Sequence, residues 1–422
     1  MKRLLFSLAL LSFTSLAFAQ GINFESSLTW DQVKKKAKAE NKYIFIDVFA
    51  TWCGPCREMD NKIYPAQSLG SFMNERFISV KLQVDQTKSD SKQIRTWYAD
   101  AARITSQYKI GSYPSFLFFS PEGYLVNQGT GFQSVESFQK MAESAFIFSK
   151  QYDAKVAQYR QGDMTVSELM ELAINAKAAG DAAFAQKVAT DCIDHHLLKL
   201  KSAELFTRDK LMFIGQFLGD RDSKAFGFFR EESKRVNALL GDFMAERQIM
   251  SLIEKTYFPN QATWKVKKTD WDFLEKEVTN LFGPLGQEVA YGNRMLYHWV
   301  LADNWRAFGE YYMKYFKMAL RHPTFHVNNM SWSVFEHIDD PEVLNYAIEV
   351  MKYDIETFDQ NDFVAWDTYA NLLHKVGRTL KAIEWETKAV KMVKGQPGEN
   401  LYVEALEKMK KNLPTWKVSQ NN

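Results

Sequence analysis

The stretch YIFIDVFATWCGPC, residues 43–56, decides the fold. Its first half, Tyr43–Phe49, is a nearly continuous apolar run, as a short strand buried on both faces would be. Its second half sets Cys53 and Cys56 two residues apart around Gly54 and Pro55, behind Trp52. The pair therefore falls where a strand ends and a helix begins. Free backbone amides and the helix dipole favour an anion at that point. Cys53 gains most from them, so its thiolate should form near neutral pH at a solvent-reachable edge. Cys56, one turn inward, can reach back and close a small disulfide. Pro55 fixes one torsion of the turn, and Gly54 lets a second chain approach. Such a pair suits thiol–disulfide exchange, in which one sulfur attacks and the other resolves the mixed disulfide.

The flanking residues extend the pattern. Thr29 followed by Gln32 reads as a capping box that opens a helix through about Glu40. A helical stretch is expected from the cysteines to about Tyr64, broken by Pro65, and a short helix over Ser68–Arg76. Phe77–Val84 reads as a strand, Gln86–Ser91 as a loop and 92–107 as a helix. Strands Ser115–Ser120 and Tyr124–Gln128 flank the turn Pro121-Glu122-Gly123, and Ser134 caps a helix reaching about residue 150. Helices alternating with buried strands predict an α/β sandwich over 20–150.

On these residues the chain resembles the thioredoxin family. IDVFATWCGPC is similar to the family's active-site segment. Asp47, six residues before Cys53, stands where the family keeps a buried acid. KLQVD at 81–85 resembles its central strand, with Lys81 at the position that pairs with that acid. Tyr113-Pro114 precedes SFLFFS where the family has a cis-proline facing the cysteines. The resemblance implies a Cys53–Cys56 disulfide and a proton-relay role for Asp47 with Lys81. It also implies a docking surface of Trp52, Gly54, Pro55, Tyr113 and Pro114. The chain departs from the pattern at Phe49, usually tryptophan, and lacks the kinking proline soon after the second cysteine. It is also longer between Cys56 and Pro114. These traits, with Glu58-Met59-Asp60, resemble the carboxy-terminal domain of the periplasmic thiol-disulfide interchange transporters.

Residues 1–19, MKRLLFSLALLSFTSLAFA, read as a signal peptide ending in Ala17-Phe18-Ala19, with an apolar run short of the roughly 20 residues that span a bilayer. An exported, periplasmic protein is expected. The formal charge of +2 resides in Lys2 and Arg3, so the mature chain is near neutral and no nucleic-acid partner is expected. With 422 residues and 3 cysteines, the fold does not depend on disulfide staples. A structural zinc takes four ligands, and Cys192, His195 and His196 lie in another region, so neither metal nor cofactor is expected.

From 151 onward strand signals vanish and apolar residues recur at three and four. Leu169, Ala173, Gly180, Ala185 and Cys192 share their offsets with Trp366, Ala370, Gly377, Ala382 and Ala389. This spacing resembles the tetratricopeptide helix pair, with Cys192 in a packing slot. Asp303, Asp340 and Gly377 fall 37 residues apart, looser than the usual repeat of about 34. The stripe Trp305, Phe308, Tyr311, Tyr312 and Tyr315 reads as core. An all-α, degenerate tetratricopeptide-like domain is expected over 151–422, with a tail that frays from Leu413.

The sequence thus predicts an exported thiol-disulfide oxidoreductase acting on protein thiols and disulfides. Reduction or electron relay is the expected direction, with a membrane thiol donor and a protein partner on the helical repeats. The alternative is a scaffold in which the helices bind and the first domain only docks.

Overall fold

The computed structural model describes residues 21–258, 269–358 and 360–417. The expected signal peptide and tail residues 418–422 lie outside them. The chain divides into two compact units, the first ending at Lys201 and the second beginning at Ser202.

The first unit is built on a five-stranded sheet of order β1-β3-β2-β4-β5. Its strands are β1 (Phe24–Glu25), β2 (Tyr43–Phe49), β3 (Phe77–Gln83), β4 (Ser115–Phe119) and β5 (Leu125–Thr130). β1, β3 and β2 run parallel, while β4 is antiparallel to β2 and β5 to β4. β2 lies at the centre, and Ile44 through Val48 are all buried. Ile44, Ile46 and Val48 face one core with Trp30, Val33 and Ile104; Phe45 faces the other. There it packs on Phe118 at 5.2 Å and on Phe138 at 5.1 Å between ring centres. The parallel register sets Asp47 beside Lys81 on the neighbouring strand. This is the α/β thioredoxin fold that the sequence implied, and every regular element among the second unit's described residues is a helix.

The helices follow local chemistry. In α1 (Trp30–Glu40) the Thr29 amide donates to Gln32 Oε1 at 2.9 Å and the Gln32 amide to Thr29 Oγ1 at 3.4 Å, completing the expected capping box. The stretch after the cysteines is not one helix. It is α2 (Gly54–Glu58) continued by a π-helical turn, Met59–Ile63, before α3 (Gln67–Arg76). The stretch 92–107 also divides, into α4 (Lys92–Thr96) and α5 (Tyr98–Gln107), at Trp97, whose indole donates to the Leu28 carbonyl at 3.0 Å. Tethering that ring to the core fixes the break. α6 (Val135–Gln161) starts at Ser134 as expected but runs past 150 to its C-cap at Gly162, in the left-handed region. β1, two residues long, was too short to leave a periodic signal.

α7 (Val166–Ala178) and α8 (Ala182–His195) form a hairpin around Gly180, with Leu169, Ala173, Ala185 and Cys192 buried between them. In the second unit, helices Phe363–Lys375 and Thr379–Val393 make a hairpin around Gly377 with Ala370, Ala382 and Ala389 buried at the same offsets. Both glycines hold positive φ, 88° and 81°, where a Cβ is disfavoured. Cys192 is an unpaired, fully buried packing residue, and burial pushes its thiol up to about 12. The stripe Phe308, Tyr311, Tyr312 and Tyr315 is core, as expected. The tail differs from expectation: Leu413 O takes a hydrogen bond from His374 Nε2 at 2.8 Å, and Trp416 packs edge-on to Phe335 and His374. A large ring with a core socket outweighs the chain-end entropy that favours fraying. No helix among the described residues is long and apolar enough to cross a membrane.

Phe45 joins the most ring contacts in the sheet's aromatic core. Phe45→Ala is expected to cost about 3–5 kcal/mol, read by urea unfolding. Ile147→Ala, at a 58% exposed position, should change stability by less than about 0.5 kcal/mol.

Candidate active site at the Cys53–Cys56 disulfide

β2 ends at Phe49, and the chain passes through Ala50, Thr51 and Trp52 into α2 at Cys53, its N-cap residue, with Pro55 in the first turn. Cys53 and Cys56 are joined by a disulfide. Cys53 Sγ accepts a hydrogen bond from the Cys56 amide at 3.1 Å. The leading sulfur thus faces a free amide at a helix start, where a thiolate would be stabilised. It is less open than expected. Cys53 and Cys56 are each only 3% exposed in the disulfide form, because the N-cap geometry turns Sγ inward over Ala50. What faces solvent is the rim: Trp52, at 68% exposure, with Gly54 and Pro55.

The rim continues on a separate loop. The Tyr113–Pro114 peptide bond is cis, and Tyr113 meets Trp52 edge-on at 5.9 Å. The Pro114 carbonyl accepts from the Gly131 amide at 2.8 Å and from Thr130 Oγ1 at 3.0 Å. Tyr113 packs against the two cysteines, so it joins Trp52, Gly54 and Pro55 around the sulfurs, with Pro114 next to it in the chain.

Asp47 lies beneath the site on β2, 1% exposed. Lys81 Nζ stands 3.7 Å from Asp47 Oδ2 but makes its short contact with Asp60, a residue of the π turn. One ammonium thus serves two carboxylates, under the rings of Phe24, Phe49 and Tyr64 at 5.2–5.5 Å. Burial pushes the Asp47 carboxyl up to about 7; Lys81 draws it down, and the charge of Asp60 raises it further. Tyr64, buried against Asp47, has its phenol pushed well up by burial and by that carboxylate.

Three participants were not singled out from sequence. Asp60 required knowledge of the π turn, since an α-helix would have placed it differently. Tyr64 comes with the same turn. Asp85, within the quoted KLQVD, accepts from the Thr51 amide at 2.9 Å and from its hydroxyl, clamping the loop ahead of Cys53. An acid closing a parallel strand beside that loop was the only available signal.

A parallel-antiparallel sheet presenting a C-x-x-C disulfide at a strand-to-helix junction opposite a cis-proline defines a class: the thioredoxin-like thiol-disulfide oxidoreductase module. Residues 30–146 match the family model of the thioredoxin-like domain. Thioredoxin H-type of Fagopyrum esculentum is 30% identical over 129 residues, covering 31% of this chain and 95% of that protein. Thioredoxin-1 of Drosophila melanogaster is 31% identical over 88 residues, 21% of this chain and 66% of its own. The thiol:disulfide interchange protein DsbD of Colwellia psychrerythraea is 29% identical over 133 residues, 30% of this chain but 20% of that protein. The chain belongs to the thioredoxin family. It spans only a fifth of the length of DsbD and 66% of thioredoxin-1.

Because the folded-state pKa of Asp47 is raised, its protonated form is favoured in the native protein. Stability is therefore full below the unfolded value near 4, falls as pH rises toward 7, and then levels off. Asp47→Asn removes that loss and leaves Lys81 paired with Asp60. The variant should match the parent near pH 4 and exceed it by on the order of 3 kcal/mol above pH 7, measured by urea unfolding across pH. A parent whose stability rises over that interval would contradict the assignment.

Proposed function

We propose that this chain is an exported thiol-disulfide oxidoreductase that reduces protein disulfides or relays electrons to them. In this reading residues 1–19 direct export to the periplasm, 20–150 carry the redox module, and 151–422 form a tetratricopeptide-like domain that recruits or orients a protein partner. The observation that carries the proposal is the Cys56 amide aimed at Cys53 Sγ at 3.1 Å within an exposed rim.

The reaction balances as follows. The Cys53 thiolate attacks one sulfur of a target disulfide; the target's other sulfur leaves as a thiolate, and a mixed disulfide forms. Cys56 then loses its proton and attacks Cys53 Sγ. The Cys53–Cys56 disulfide forms and the second target sulfur departs. Two electrons have passed to the target, so a dithiol donor, expected to be a membrane thiol relay, must restore the reduced pair. Asp47, with a pKa of about 7, can take the Cys56 proton near neutral pH and return it in the reverse direction. Lys81 holds the charge that forms there. Since both sulfurs are recessed, the substrate must present its disulfide over the rim of Trp52, Gly54, Pro55 and Tyr113. The carbonyl of Pro114 is already engaged, which leaves the main chain of Tyr113 to pair with an extended substrate segment.

Cys56→Ser should trap discrete adducts on Cys53 that dithiothreitol releases, visible on non-reducing gels of periplasmic extract. Cys53→Ser should trap none. Reduction of insulin by the parent should be lost in both and slowed about 100-fold in Asp47→Asn at pH 7. A Cys56→Ser protein that traps nothing, with a parent inert toward insulin, would remove the redox reading.

A further inference from the structure

A cavity of about 710 Å³ opens within the second unit, far in sequence from the dithiol. Its walls come from helices Pro284–Val300, Val327–His337, Phe363–Lys375 and Glu399–Lys410. Trp299, Trp332 and Tyr402 supply aromatic faces. Trp299 is fixed by its indole N–H, which donates to Ser333 Oγ at 2.9 Å.

The polar lining mixes amides and hydroxyls with charged groups, and three of the charged groups are acids. Glu336, Asp367 and Glu404 bring carboxylates, and the lysine that lines the cavity, Lys408, already sits 2.7 Å from Glu404. Asp367 holds one hydrogen bond, from Asn371 Nδ2 at 2.8 Å. Behind it lies Glu386, fully buried, its carboxyl facing that of Asp367. Burial raises both acids, and the charge of Asp367 raises Glu386 further, which leaves Asp367, the member that lines the cavity, the readier of the two to carry a negative charge. Asn328, which also lines the cavity, is only 6% exposed, yet its Oδ1 has no hydrogen-bond partner. A buried amide acceptor in that state is costly. The site therefore offers carboxylates, an unmatched amide acceptor and aromatic faces, while its cationic groups, Lys408 and His337, already stand beside Glu404 and Glu336.

We propose that this cavity binds a cationic side chain, the guanidinium of an arginine presented by a partner polypeptide. A guanidinium is planar, stacks on indole and phenol faces, and carries five N–H donors on its edge. Those donors would meet Asp367 and the orphaned Asn328 oxygen while the plane lies against Trp299 or Trp332. An anionic peptide would meet like charge. A neutral apolar segment would leave the Asn328 oxygen and the Asp367 charge uncompensated. The inference deepens the reading that the helical unit takes a protein partner, and it does not depend on turnover at the dithiol.

The test uses the full chain and the peptide acetyl-Gly-Arg-Gly-amide, with binding followed by titration calorimetry and tryptophan fluorescence. The control is the same peptide with citrulline, which keeps the shape of arginine and loses its charge. Saturable binding of the arginine peptide is expected, at least about ten-fold weaker for citrulline and weakened by salt. Asp367→Asn should weaken it about ten-fold, with circular dichroism unchanged. Glu336→Gln, at the half-exposed rim, should weaken it measurably without touching the core, so the test stands even if Asp367→Asn fails to fold. Equal binding of the two peptides, no saturation by about 10 mM, or indifference to Glu336→Gln would overturn the proposal. Insulin reduction, assayed in parallel, reports on the dithiol separately and should be unaltered in both variants.

Discussion

A carboxylate in the middle of a strand buried on both faces is the constraint around which the redox module is organised. Asp47 is 1% exposed, and a lone charge there would be prohibitive. Two devices reduce the cost: a lysine set beside it by the parallel register of β2 and β3, and a pKa high enough that the proton is kept much of the time. Because Lys81 is drawn toward Asp60 as well, neither acid is fully neutralised. Asp47 is left able to gain or lose a proton near neutral pH, which is what a relay for a resolving thiol needs.

The π turn makes this sharing geometrically possible. Relatives that kink the helix after the cysteines with proline would lose a backbone donor there. This chain carries a π-helical turn over the same stretch, Met59–Ile63, with no proline in it. The turn carries Asp60 to Lys81 and, at its end, Tyr64 to Asp47. Phe49, standing where the family usually has tryptophan, contributes a ring face to the lysine. Two of the departures from the family pattern, Phe49 and the missing proline, thus meet around one cation, Lys81.

Much of this was legible in sequence because it depends on local signals. The capping box at Thr29, the buried run at Tyr43–Phe49, the junction at Cys53 and the cap at Ser134 each specify their own structure within a few residues. Asp47 and Lys81 could be placed together because the resemblance to the thioredoxin family pairs those two positions. What could not be read depends on contacts far apart in the chain. Trp97 splits a helix because its indole reaches Leu28; Trp416 holds the tail because its socket is built from Phe335 and His374. The recessed position of Cys53 is subtler, since the same capping geometry that offers its sulfur an amide also turns it from solvent. The opening seen from sequence was therefore the rim, Trp52, Gly54 and Pro55, and not the sulfur itself.

The two units hold buried acids by opposite means, and the difference bears on what each can do. Asp47 has a cation within 3.7 Å, so its proton can leave without stranding a charge, and the site suits proton traffic. Asp367 and Glu386 face each other, with a neutral amide, Asn371, as a further partner. Burial and the Asp367 charge favour keeping a proton on Glu386, and releasing it would place two like charges face to face. Such a pair is poorly suited to turnover. It is well suited to keeping a single negative charge poised for a positive ligand, which would supply from outside the compensation that Lys81 supplies to Asp47 from within the fold.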